Sequence, residues 1–226
     1  MRFRRKGGAD DGSEAADDTG TADAQVESVD EPTGFGEPPP RPQGPWDASD
    51  VDDDVARLDF GALLVPAVDG MEVRLDVDEQ GTVSAVGIGL ADSSLQLQAF
   101  AAPRSLGLWD EVRAEMLDGI RSSGGKVSEA QGPFGPELRA VLPAQDPDGK
   151  VVGTEPVRFL GIDGPRWFLR GVITGAASDA ARANDVHALL RGVVVARGDA
   201  AAPPRELLEL RVPEDPQLQS GPAGGE

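Results

Sequence analysis

The chain has 226 residues, with 40 Asp and Glu against 21 Lys and Arg, for a formal net charge of -19. A surface this acidic repels nucleic-acid phosphate, where binding needs basic side chains to displace counterions, so no nucleic-acid partner is expected. The lack of cysteine removes disulfides, thiolate metal sites and cysteine nucleophiles.

The charge is unevenly spread. Residues 2–6 carry +4, residues 7–56 carry -14, residues 57–212 carry -6 and the remainder -3. The opening MRFRRKGGADDGS has no apolar run behind its basic residues, so it does not read as a secretory signal. No stretch approaches the roughly 18 apolar residues of a spanning helix. A cytoplasmic location is expected by elimination.

Residues 1–56 are expected to be a disordered arm, because they hold too few apolar side chains to offset the entropy of ordering the backbone. Within it the run from Pro38 to Pro42 favours polyproline II. Trp46 follows, with two readings: an anchor packed back on the body, or a hot-spot side chain for a partner.

Folded structure is expected from about Leu58, in a single domain over 57–212. Met71, Val73, Leu75 and Val77 alternate with charged residues, which predicts a strand with one face in water. Strands over 82–90 and 95–100 complete an antiparallel meander. A helix is predicted over 108–122, with Trp109, Val112, Met116 and Ile120 on one face. Gly124 and Gly125 stop it. Short strands follow over 126–130, 137–142 and 156–162. Asp163-Gly164-Pro165 marks a turn, and 166–174, apolar on both faces, is expected at the centre of the sheet. A second helix is expected over 179–191, with Val193–Val195 either continuing it or forming a strand. Residues 207–212 read as a last strand or docked segment, and a disordered tail is expected over 213–226. Hairpin-joined strands with segregated helices argue for an α+β fold, a mainly antiparallel sheet flanked by two helices.

Chemical motifs are scarce. His187 is the only histidine, and no G-x-S-x-G elbow supplies a nucleophile for it; it reads as a surface or half-buried helical residue. Asp52-Asp53-Asp54 reads as a solvated charge run rather than a cation site. No phosphate-binding glycine loop is present, and Gly87 and Gly89 fall inside a strand pattern. No metal site, cofactor or catalytic residue is therefore assigned. Arg139, Arg158, Arg166 and Arg170 lie on strands that could approach one another. They would receive a carboxylate or phosphate, or pair with Glu137 and Glu155.

Pro45-Trp46-Asp47, Val65-Pro-x-Val-Asp-Gly-Met71, the run from Leu95 to Arg104, Trp109-x-Glu-Val-Arg113 and the run from Asp163 to Gly171 together resemble the actinobacterial family called domain of unknown function 3710. The likeness covers about residues 45–212. It implies an intracellular actinobacterial protein with no established activity, often encoded near a deoxyuridine triphosphatase gene. The order of elements also resembles the Mog1/PsbP-type α/β/α sandwich, whose members act chiefly in binding or assembly. The expected function is a non-enzymatic protein-interaction or assembly domain, with Trp46 and the arginines as candidate contacts. The alternatives are a small-molecule or anion-binding domain on the arginine-lined face, and membrane association through residues 2–6.

Overall fold

The computed structural model describes residues 43–104, 107–145 and 149–213. The basic cluster, the proline-rich run and most of the expected arm and tail lie outside them.

Seven antiparallel strands form the main sheet. They are β4 (Met71–Val77), β5 (Val83–Leu90), β6 (Ser93–Ala101), β7 (Lys126–Gly132), β8 (Gly135–Gln145), β9 (Val151–Gly164) and β10 (Trp167–Gly175), in the order β4-β5-β6-β10-β9-β8-β7. The expected meander is β4-β5-β6, and β10 takes the central place that its two apolar faces require. A smaller sheet joins β1 (Trp46–Asp47), β2 (Arg57–Asp59), β3 (Leu63–Pro66) and β11 (Val194–Val195) in the order β1-β11-β3-β2. Its β1–β11 pair is parallel, so the strands are not antiparallel throughout.

The main sheet has helices on opposite faces. Helix α1 (Leu108–Ser122) lays Leu108 and Trp109 on Phe168, with Val112 and Met116 beside them. Gly161 makes this contact close: a Cβ there would lie 2.3 Å from the Trp109 indole. Gly107, at the N-cap, has no side chain to offer the helix. Asp163, at the end of β9, supplies the acceptor instead, taking the Trp109 N–H at 3.2 Å. Burial pushes the Asp163 carboxyl up, against the opposing pull of the backbone N–H groups of Trp109, Gly107 and Leu108.

On the other face lie α2 (Asn184–Gly192) and the small sheet, closing the larger core over Leu95, Leu97, Leu160, Trp167, Leu169 and Ile173. Helix α2 is shorter than the predicted 179–191. Asp179 binds the Ala181 N–H at 3.0 Å and starts a separate 3-10 turn, Ala180–Arg182, before α2 begins. Val194 and Val195 turn into a strand. The segment after residue 206 docks by isolated bridges, Leu207 to Phe100 and Leu210 to Val83 and Gly61.

The structure also differs from the sequence reading at the start of the body. Trp46 donates its backbone N–H to the Val193 carbonyl at 2.9 Å. The fully buried Trp167 donates its indole N–H to Asp47 Oδ2 at 2.7 Å. Ordered pairing thus begins eleven residues before Arg57, in an Asp-rich segment tied down by these hydrogen bonds and by the burial of Pro45.

Candidate functional site

The sheet face under α2 carries a buried charge network. In register, Glu137 pairs with Leu160 and Arg139 with Arg158, so all three charged side chains share that face. Arg158 is 1 % exposed and grips Glu137, itself 1 % exposed, through Nη2 to Oε2 at 2.7 Å and Nε to Oε1 at 3.2 Å. Its Nη1 donates to the Ala177 carbonyl at 3.2 Å. Arg139, near solvent, adds a bond to Glu137 Oε1 at 2.9 Å. Gly132 makes room, since a Cβ there would stand 2.3 Å from Glu137 Oε2.

His187 completes the network, with Nε2 lying 3.3 Å from Arg158 Nη2. A guanidinium can only donate, so Nε2 accepts and the ring is neutral. Burial pushes the imidazole down, Arg158 and Arg191 push it further, and Glu137 opposes them. Phe134, in the turn between β7 and β8, meets the ring edge-on at 5.7 Å. The expected surface or half-buried histidine is therefore a buried one. The network's polar groups are turned on one another, which suits a structural role.

The face under α1 is built from aromatic rings. Phe168 and Phe100 are cross-strand partners, as are Arg170 and Gln98. Phe100, Phe168 and Trp109 stack in series, at 5.9 and 6.0 Å between centroids. A guanidinium covers each end: Arg170 lies 5.6 Å from the Phe100 ring and Arg113 lies 5.8 Å from Trp109. Arg113 is paired with Asp110 at 2.6 Å and Glu129 at 2.8 Å. Arg170 donates through Nη2 to the Gln98 amide oxygen. Its Nε is buried without a hydrogen-bond partner. A cavity of about 190 Å³ lies here, lined by Phe100, Leu108, Val112, Phe168 and Arg170, with Glu115 and Arg205. Burial lowers the proton affinity of Arg170.

A third feature lies at the far end of α1. A recess of about 450 Å³ is lined by Ile120, Lys126, Val141, Leu142, Pro143 and Thr154, among others. Beside it β8 and β9 outrun their neighbours. Pairing of β7 with β8 ends at Lys126 and Val141, and pairing of β10 with β9 ends at Ile173 and Arg158. From Leu142 opposite Glu155 to Gln145 opposite Val151, β8 and β9 pair only with each other. Val151 and Val152 on this ribbon are 56 % and 63 % exposed.

The candidate arginines do not converge. Arg139 and Arg158 share Glu137 on one face, and Arg170 lies on the opposite one. Arg166 is exposed in the tight turn between β9 and β10, at φ 61°, with its carbonyl accepting from Arg197 Nε and the Ala102 N–H. Glu155 is exposed on the ribbon. Trp46 is half-buried in β1. Sequence reasoning missed the aromatic series and its cavity. The signal was present as period-two alternation in both β6 and β10, but only the cross-strand register sets Phe100 beside Phe168 and Gln98 beside Arg170. Among the described residues no group of three or more His, Asp or Glu could hold a metal ion. No described helix is long and apolar enough to cross a membrane.

A family model described as "Protein of unknown function (DUF3710)" matches residues 44–219. No curated protein and no solved structure matches the chain.

Proposed function

Since the chain belongs to the DUF3710 family, described only as being of unknown function, we propose that it is a non-enzymatic protein-interaction domain whose docking element is the β8–β9 ribbon. The observation that carries the reading is the ribbon's exposed edge. The stretches Leu142-Pro143-Ala144 and Val151-Val152-Gly153-Thr154 carry no charge, and Val151 and Val152 are largely exposed. Edge strands are ordinarily protected by charge, proline or cover, and a two-stranded ribbon on its own is marginal in water. Pro143 on β8 and Pro156 on β9 have no N–H to offer, which leaves residues 151–155 of β9 as the stretch without proline. The β9 side, beyond the last residue of β10, suits an extended apolar segment of a partner that adds as a strand.

Support for a single anion site made of Arg139, Arg158, Arg166 and Arg170 is weak, because these side chains are divided between two faces and a turn. Membrane association through residues 2–6 falls outside the described residues. An actinobacterial origin, a cytoplasmic setting and the Mog1/PsbP-like analogy belong to this same proposal and rest on composition and resemblance, and a shared fold would not fix the function.

The test is affinity capture with the full chain and with the double variant V151D/V152D, both checked by thermal unfolding. A partner that is lost with the double variant, and that slows amide exchange over residues 149–157 of the wild type, supports the reading. A partner retained equally by a folded V151D/V152D chain overturns it.

A further inference from the structure

The cavity beside Arg170 is a separate feature from the ribbon and carries its own chemistry. A guanidinium withdrawn from water ordinarily finds a carboxylate, as Arg158 and Arg113 do here. Arg170 has no ion pair among the described residues. Its one side-chain hydrogen bond goes to a neutral amide, and its Nε is buried with no partner. The nearby acids are committed elsewhere: Glu115 and Glu111 both bind Arg205, at 2.9 Å each. The remaining walls are apolar, from Phe100, Leu108, Val112 and Phe168.

We propose that this cavity binds a small monocarboxylate with an apolar body, its carboxylate on Arg170 and its body against Phe100 and Phe168. Three observations fit that class of ligand. A carboxylate supplies the acceptor that Nε lacks and the counter-charge that Gln98 cannot give. A flat or short aliphatic body suits the apolar wall of Phe100, Leu108, Val112 and Phe168 and replaces water against it. At about 190 Å³ the space is below the range of drug-sized pockets, so the body is of single-ring or short-chain size. Desolvation of Arg170, which lowers its proton affinity, points the same way. A fully hydrated anion such as phosphate would gain the charge but leave the apolar walls unused. Glu115 and Arg205 stand at the same cavity; Glu115 opposes an incoming anion, and the positive charge of Arg205 is already offset by Glu111 and Glu115.

The probes are benzoate and hexanoate, each compared with its neutral amide and with inorganic phosphate, titrated into the full-length chain and followed by amide and side-chain NMR. The expected result is saturable shifts at Phe100, Leu108, Val112 and Phe168, with each carboxylate bound at least tenfold more tightly than its amide. The variant R170M keeps an unbranched apolar side chain at this position and removes the guanidinium and its charge. It should abolish that preference while leaving weak amide binding. E115Q, at an exposed position, should strengthen carboxylate binding. No saturable shift in the wild type, equal binding of amide and carboxylate, preference for phosphate, or an unchanged preference in R170M would each overturn the proposal. A well filled only by water gives the first of these outcomes.

Discussion

Arg158 on β9 and Arg170 on β10 lie on adjacent central strands, yet the two faces of the sheet treat them differently. Under α2, Arg158 meets Glu137 in a bidentate pair, a backbone carbonyl and a neutral imidazole, and is almost fully buried. Under α1, Arg170 meets an amide oxygen and an aromatic face, with no carboxylate among the described residues. One arginine is spent inside the fold. The other has hydrogen-bonding capacity left over beside a cavity. For the same residue type, the guanidinium whose donors are all met inside the fold marks a structural site, and the half-buried one with a donor left over marks a candidate binding site.

The most disruptive way to break the comparison is R158M, which strands Glu137 in the core. Loss of one partner of a buried pair costs about 3–5 kcal/mol, with the lower end expected because Arg139 still reaches Glu137. Chemical denaturation of R158M and of the double variant E137L/R158M checks it; the double variant should recover much of the loss. Next is D47A, which leaves the buried Trp167 indole N–H unsatisfied and should cost about 1–3 kcal/mol. That variant also tests whether the segment before Arg57 belongs to the fold: no change in unfolding midpoint would detach it.

A smaller effect separates His187 from the ion pair. Its folded-state pKa lies below its ordinary value, from burial first and then from Arg158 and Arg191, against the opposing Glu137. The unfolded chain therefore binds more protons in the window just below the ordinary imidazole range. Stability is present above that range and is lost as pH falls through it. H187Q should show a flatter midpoint-versus-pH curve there. R170M should change stability by about 1–2 kcal/mol, less than R158M, since it breaks no ion pair and loses the hydrogen bond to Gln98 and the guanidinium contact with the Phe100 ring. A loss as large as that of R158M would erase the contrast between the two faces. The smallest change is expected for R182A, whose pair with Asp92 is exposed on both sides and contributes about 0–1 kcal/mol.

Much of the architecture was legible in advance because it rests on local pattern. Alternation of apolar and charged residues from Met71 to Val77 specifies a half-wet strand whatever lies beside it. Helix α1 runs over the residues its apolar spacing indicated, with Asp110 and Glu111 at its start and Arg121 near its end. The central place of β10 followed from having two apolar faces. Non-local features were not legible. Nothing near Trp46 announces that it will pair with Val194, or that Asp47 will cap an indole 120 residues away.

By itself, then, the sequence determined element types, the α+β class and the absence of thiol chemistry, since these depend on residue identity and on spacing over one or two turns. Only the tertiary structure decided which arginines meet a carboxylate. In a strand, a side chain's face is set by parity, but its neighbours are set by register with strands far away in sequence. That register turns Arg139 and Arg158 toward Glu137, leaves Arg166 in a turn, and places Arg170 with Gln98 and the Phe100 ring at the edge of an apolar cavity.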